Sequence, residues 1–578
     1  MQEENQDKIH YIDKVFRLPI DYNEKKQMIK KHIIDDLELS ESSDETKQSM
    51  YELLFKSDSI FAKQMVPKFA ESYTTDVGFL KETQNLLKNY TSTKMNKPDC
   101  SHIYNIWYDV KTDTGFKDRY NYIDWTFWEF LNTSEPFLQF MSLYNITSPI
   151  ISLFIPLIIL IIPFFIIQMQ GLKVTFNEYS QILKFLAANH AIGRIFFQFN
   201  SVSLEQKIYI LVSTFFYLFS IYQNILSCIR FHTNMKKIHS SLFSILEYLN
   251  YSIDHMNHFL CLTEKLSTYN DFNKDIKKNI DILSSFREKI KTIGAYKWNI
   301  SKMWELGYIL KTFYELYSDS AYEAALSYSF GYHGYIENIE GFIQNINVGN
   351  INPVGFLENS TKCNFKNSYY PFLMNDTPIK NDISVDKNLI ITGPNASGKT
   401  TILKTSLLNV ILCQQFGYGC FESGKICPFT YIHCYLNIPD TSGRDSLFQA
   451  EARRCKEIID CVNNKPDNTH FCVFDEMYSG TNPDEATISA IAFMKYLVKF
   501  KNVKCLLTTH FIKVCKKLDA VKNIRNRCMQ VNKTVNGNFE YTYLLKDGIS
   551  TVKGGMKVLS DMNYPKEILE TTKKYNSG

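Results

Sequence analysis

Asn388-Leu389-Ile390-Ile391-Thr392-Gly393-Pro394-Asn395-Ala396-Ser397-Gly398-Lys399-Thr400-Thr401-Ile402-Leu403-Lys404 decides how the last third of this chain folds. Its first five residues are uncharged and mostly apolar, the pattern of a strand covered on both faces. G-x4-G-K-T follows, and Thr401-Ile402-Leu403-Lys404 opens a helical pattern. In a strand, glycine-rich turn and helix, backbone N–H groups and a helix N-terminus converge on phosphate. Gly393, Pro394, Asn395, Ala396, Ser397 and Gly398 are expected to wrap the phosphates, with Thr401 beside them at the helix start. Lys399 is expected to reach the β- and γ-phosphates and Thr400 to place its hydroxyl on Mg²⁺. A chance match would lack the flanking strand and helix, so the reading is a chain that binds ATP or GTP.

The remaining parts of such a site lie downstream. His470-Phe471-Cys472-Val473-Phe474 is an apolar strand ending in Asp475-Glu476. Asp475 is placed to hold Mg²⁺, and Glu476 to orient and deprotonate an attacking water. A solvated strand end would explain the acidic pair alone, but neither the apolar strand before it nor its partnership with the glycine-rich loop. Asn502-Val503-Lys504-Cys505-Leu506-Leu507-Thr508-Thr509-His510 is a further apolar strand finished by a histidine. A lone histidine is commonly structural. One that ends the strand after the acidic pair resembles the γ-phosphate sensor of ABC-type ATPases.

These segments, with Thr392-Gly393-Pro394-Asn395, Ser479-Gly480-Thr481-Asn482 after the acidic pair, and Thr508-Thr509-His510-Phe511, resemble the ATPase domain of the MutS mismatch-repair family. Ser442-Gly443-Arg444-Asp445-Ser446-Leu447-Phe448-Gln449-Ala450-Glu451 resembles the family segment in which a serine reaches the ATP of a partner subunit. Ser446, five residues before Glu451, is the matching serine, although Asp445 makes the loop one residue longer than the family pattern. Gly548-Ile549-Ser550, Gly554-Gly555 and Tyr564-Pro565-Lys566-Glu567-Ile568-Leu569 resemble the closing strand, loop and helix. The resemblance covers residues 365–575. It implies an α/β P-loop domain of the ABC/MutS type, ATP and Mg²⁺ as cofactors, and a composite site in a homodimer or a MutS-type heterodimer. The catalytic set would be Lys399, Glu476 and His510, with Thr400 and Asp475 on the metal. The position where the family places an aromatic against the base falls in Thr377-Pro378-Ile379-Lys380, and Ile379 packs but does not stack.

The rest of the chain departs from a mismatch sensor. Phe421-Glu422 lies inside the C-terminal domain, with a different spacing and place from the Phe-x-Glu wedge of mismatch sensors. Residues 231–364 are helical and polar, resembling the levers that precede the ATPase domain, but too short for levers and a DNA clamp together. Residues 150–167 are apolar except for one hydroxyl and carry no charge. With Gln168-Met169-Gln170 they suffice to cross roughly 30 Å of hydrocarbon. A second span is expected over about residues 208–228, despite Ser213, Thr214, Gln223 and Asn224. The alternative is that both are core helices of a soluble domain. The expected order is therefore 1–147 helical, 148–230 a transmembrane hairpin with spans about 150–170 and 208–228, 231–364 lever-like helices, and 365–578 the ATPase domain. Lys173, Lys184, Arg194 and Lys207 in the hairpin loop balance Arg230, Lys236 and Lys237 beyond it, so charge does not orient the hairpin. The need for ATP places the C-terminal domain in the cytoplasmic, ATP-containing compartment, with a soluble intracellular protein as the alternative.

The 578 residues are 45% hydrophobic and 21% charged, which argues against general disorder. A net charge of +4, from 64 basic and 60 acidic residues, gives no footprint for nucleic acid and leaves DNA open as a partner. Of the 14 cysteines, Cys413, Cys420, Cys427 and Cys434 recur every seven residues, yet none forms a C-x2-C pair. Reduced structural cysteines and no zinc are expected. Trp107, Trp125 and Trp128 precede the first apolar run and suit either a membrane interface or a packed core. Three functions follow: a membrane-anchored MutS-related ATPase, a DNA-acting MutS homologue with buried apolar segments, or an ABC-type transporter subunit. The last is weakest, with no LSGGQ-type run.

Overall fold

The computed structural model describes residues 15–44, 46–92, 95–170, 175–189, 194–195, 199–200, 203–294, 300–358, 360–374, 376–438, 446–533, 539–552, 559–560 and 562–576. Compactness divides the chain into two units, one of residues 1–94, 255–279 and 327–578, the other of residues 95–254 and 280–326. The four segments expected along the chain are thus grouped differently in space, and the N-terminal residues 15–94 share a unit with the C-terminal domain.

The first unit is built on a six-stranded sheet. Its elements are β1 (Asn388–Thr392), α1 (Lys399–Phe416), β2 (Tyr431–Tyr435), α2 (Leu447–Asn464), β3 (His470–Asp475), α3 (Pro483–Leu497), β4 (Val503–Thr509), α4 (Ile512–Leu518), β5 (Ile524–Lys533) and β6 (Phe539–Asp547). The strand order is β6-β5-β1-β4-β3-β2. All neighbours are parallel except β5 and β6. Parallel pairing needs crossovers, and the helices that supply them cover the sheet. That is why β1 has no exposed face: all five of its residues are buried. Register sets the site. Asp475 pairs with Thr508, and Thr509 with Thr392, so three strand ends meet at one carboxyl edge of the sheet. Ligands of open parallel sheets bind at that edge.

α1 lies between two left-handed glycines, Gly398 at φ +93° and Gly417 at φ +72°. These conformations cost a residue without Cβ little. Nearly all of α1 is buried, polar positions included. The amides of Gln414 and Gln415 find carbonyl partners in the N-terminal segment, at Thr74 for the first and at Phe69 and Ser72 for the second. Tyr51 donates to Gln415 Oε1 at 2.7 Å. Buried amides left unpaired would be costly, so these bonds fix residues 51–74 against the end of α1. The same segment packs on residues 327–347 of the helix Ser320–Asn347, where glycine permits contact between backbones: a Cβ at Gly341 would overlap Phe55 O, and one at Gly334 would overlap Phe61 O. A second sheet in this unit runs in the order Asn381–Ser384, Cys363–Ser368, Ser423–Ile426, Asn352–Phe356, Tyr418–Gly419.

The second unit is helical among its described residues. One helix spans Glu135–Met169, starting well before the expected apolar run, and another spans Leu204–Thr263 without a break at residue 230. Tyr217 donates to Ser152 O and Cys228 Sγ to Ile146 O, so the two apolar stretches run side by side in opposite directions. Both are long and apolar enough to cross a membrane. Most of their described side chains face outward: Leu153 is 55% exposed, Phe165 58%, Phe215 63% and Phe216 62%. Among the three tryptophans, Trp107 is buried while Trp125 and Trp128 are exposed. One packs a core, and the other two stand on the surface before the first apolar helix.

Candidate functional site

The loop from Gly393 to Gly398 turns at the carboxyl edge of β1 and delivers Lys399 and Thr400 as the first residues of α1. Ala396 takes a positive φ of +62°, and Ser397 Oγ donates to Pro394 O at 2.7 Å, which closes the turn. Lys399 is only 5% exposed. Its ammonium donates to Gly393 O at 3.0 Å and Pro394 O at 3.3 Å, and lies 3.3 Å from Glu476 Oε1. A buried cation needs such partners.

Across the edge, Thr400 Oγ1 donates to Asp475 Oδ2 at 2.7 Å, and Thr508 Oγ1 donates to Asp475 Oδ1. Glu476 sits in the left-handed region at φ +46°, a strained position for a residue with a side chain. Its N–H donates to Thr508 O, holding the turn against β4. The turn aims the carboxylate at the ammonium of Lys399 and the imidazole of His510, whose Nδ1 is 3.6 Å away. The neighbouring His510, then the charge of Lys399, outweigh burial and hold Glu476 at a pKa of about 2. The fold therefore brings Lys399, Thr400, Asp475, Glu476 and His510 to one place.

Ser446 is the N-cap of α2, accepting from Gln449 N while Gln449 Oε1 accepts from Ser446 N. It is exposed, and the preceding Ser442, Gly443, Arg444 and Asp445 lie outside the described residues. Glu451, which served in the sequence only to count spacing, has a structural task. Its buried carboxylate accepts from Ser479 N, Ser479 Oγ and Gly480 N at 3.0, 3.0 and 3.2 Å. It ties α2 to the loop that follows the acidic pair.

A cavity of about 670 Å³ opens beside the glycine-rich loop. Its floor is Asn395, Lys399, Thr400, Asp475 and Glu476, and its walls include Tyr370, Ile379, Met529 and Tyr543. Ile379 is half-exposed in it, as a packing residue would be. Tyr370 and Tyr543 supply the aromatic rings that the Ile379 segment lacks. The adjacent pair Tyr369-Tyr370 was the one signal for the first, and Tyr543 comes from the far edge strand, near Gly398. The expectation of no zinc rested on spacing along the chain. The fold nevertheless gathers His433 of β2, Cys461 of α2 and His470 of β3, one ligand atom from each lying within 4.8 Å of the others.

A carboxyl-edge site on a parallel sheet, with a glycine-rich loop, a buried lysine and an acidic pair, defines the class: a mixed α/β domain with MutS-type architecture. The description MutS domain V matches residues 389–577. The chain carries a C-terminal MutS-type domain. It is 32% identical over 228 residues to Endonuclease MutS2 of Caldicellulosiruptor saccharolyticus, covering 37% of this chain and 27% of that protein. It is 28% identical over 228 residues to Endonuclease MutS2 of Fusobacterium nucleatum, covering 38% and 28%. It is 26% identical over 211 residues to DNA mismatch repair protein MutS of Persephonella marina, covering 36% and 24%. The chain spans about a quarter of the length of these curated relatives.

Proposed function

We propose that this chain is a Mg²⁺-dependent ATPase working in a DNA transaction such as mismatch repair or recombination, as a dimer joined through its C-terminal domains. The observation that carries the ATPase reading is the placement of Glu476 between Lys399 and His510, beside the Thr400–Asp475 pair and on the floor of the cavity. Thr400 and Asp475 offer the hard oxygen donors Mg²⁺ requires, and there the ion would neutralise charge on the β- and γ-phosphates. Backbone N–H groups of the loop and of the start of α1 would bind phosphate oxygens, and the cavity walls would hold the base. A carboxylate held at a pKa of about 2 is a weak proton acceptor. Phosphate oxygens compete for Lys399 and His510. As Lys399 and His510 turn to the γ-phosphate, Glu476 gains basicity and takes a proton from the attacking water. Base strength then appears only when substrate is bound. Ser446, exposed at the start of α2, is the group a facing subunit would use.

The relatives' names, Endonuclease MutS2 and DNA mismatch repair protein MutS, support DNA as the load. A second reading, a membrane-anchored engine with its C-terminal domain in the cytoplasm, is supported by the outward-facing apolar helices of the second unit. Nucleotide binding and turnover by Glu476→Gln and Lys399→Ala test the engine. The first is expected to bind ATP and not turn it over, and the second to bind weakly; normal turnover by either defeats the proposal. Turnover with and without duplex, mismatched and branched DNA at two salt concentrations tests the load. Stimulation that falls with salt supports DNA, and indifference to every DNA favours the membrane reading.

A further inference from the structure

His433, Cys461 and His470 are far from the acidic pair and unused by it. His470 is the first residue of β3 and Asp475 the last, so five residues of strand, about 16 Å, separate the cluster from the nucleotide site. Register places His433 beside Cys472, two residues along from His470 and on the same face of the sheet. Cys461 reaches them from the last turns of α2. Both histidines are buried, and Cys461 is partly open to solvent.

The hydrogen bonds determine the proton positions. His470 Nε2 faces Lys465 O at 3.2 Å, and a carbonyl only accepts, so Nε2 carries the proton and Nδ1 presents a lone pair. That nitrogen is 3.1 Å from His433 Nε2. If the two rings satisfy one another, His433 donates through Nε2. Its Nδ1 lone pair is then left in the core, where it has no hydrogen-bond partner. A cation between the rings would take the facing lone pairs of His470 Nδ1 and His433 Nε2, the His433 proton then moving to Nδ1. The bond from His470 to Lys465 O is also the outer contact that fixes the orientation of a metal-bound imidazole.

We propose that His433, Cys461 and His470 bind one zinc ion, with water in the fourth position. Two imidazoles and a thiolate are a borderline-soft set suited to Zn²⁺ and unsuited to Mg²⁺, which takes oxygen. The ligands of one tetrahedral zinc stand about 3.3–3.8 Å apart. The histidine nitrogens are already at 3.1 Å, and the thiol closes the remaining gap by side-chain rotation. Coordination forms a Zn–S bond, and the Cys461 S–H proton leaves to solvent. The ion pins the end of α2 to β2 and β3. The other end of α2 carries Ser446, so occupancy would steady the helix that presents this serine.

The test uses the full chain, free of any histidine tag, stripped of metal and titrated with Co²⁺ in the absence of nucleotide. One equivalent is expected to give a sulfur-to-cobalt charge-transfer band and the strong visible bands of a four-coordinate ion. Cys461→Ser is expected to remove the sulfur band, and Cys427→Ser to keep it. Added Zn²⁺ is expected to raise the Tm of the metal-free wild type and leave that of Cys461→Ser unchanged. The absence of a sulfur band in wild type, its survival in Cys461→Ser, or equal Tm responses in the two proteins would each overturn the proposal.

Discussion

Residues 388–392 and residues 150–167 are both uncharged and predominantly apolar, and the structure treats them in opposite ways. Every side chain of the first is buried, with Leu389, Ile390 and Ile391 at 0% exposure. In the second, Ile150, Leu153 and Phe165 are more than half exposed. Burial of the first costs nothing extra in unsatisfied backbone, because parallel neighbours accept and donate along both edges. The second lies in a helix that satisfies its own backbone and needs no neighbour. Apolar sequence therefore states that a segment avoids water and leaves open whether protein or lipid replaces it.

Placing a charge in each region breaks or sharpens this contrast, and the largest effect belongs to the strand. Ile390→Lys puts an unpaired ammonium in the sheet core. It is expected to cost about 5 kcal/mol or more, enough to abolish soluble folded protein and its cooperative thermal transition. Glu451→Ala comes next. Removing a buried carboxylate that accepts three hydrogen bonds is expected to cost about 2–3 kcal/mol in denaturant melts. It should also lower turnover by loosening residues 479–481.

A pH effect of similar or smaller size falls within the first unit. Burial, then the charges of Arg454 and Lys30, hold His32 at a pKa of about 4. The unfolded chain takes up that proton near pH 6.5, while the folded one refuses it until about pH 4. This contribution is therefore fully present above pH 6.5 and is lost as pH falls from 6.5 to 4. It amounts to about 2 kcal/mol after allowance for partial exposure. Denaturant melts of wild type and His32→Gln across that window check it; the variant should lose less stability on acidification. The smallest stability effect is that of Phe216→Lys in the outward-facing helix, expected within about 0.5 kcal/mol in melts. Its consequence should appear in co-flotation with lipid vesicles, which it is expected to reduce. Strong destabilisation by this change would mean that protein covers the helix.

The catalytic candidates were legible because each sits at a marked point of the sequence: a glycine-rich turn, an acidic pair ending an apolar strand, and a histidine ending the next. Strand ends converge at one edge of a parallel sheet, so local patterns sufficed for Lys399, Thr400, Asp475, Glu476 and His510. Features assembled from distant segments were not legible. Tyr370 and Tyr543 meet Ile379 across the cavity from separate elements, and Glu451 caps a loop 28 residues away. Residues 15–94 gave no clear pattern because their order comes from tertiary partners, such as Gln415 and the glycine face of the helix Ser320–Asn347. The His433, Cys461 and His470 cluster has no sequence signature, since its ligands come from two strands and a helix.

The central claim is that Glu476, freed from Lys399 and His510 by bound substrate, takes a proton from the attacking water. Its most direct test is single-turnover ATP hydrolysis by wild type and Glu476→Gln, with nucleotide binding measured on the same preparations. The account predicts ATP binding comparable to wild type and cleavage reduced by about a hundredfold or more, in line with loss of a general base. Cleavage at the wild-type rate would contradict it.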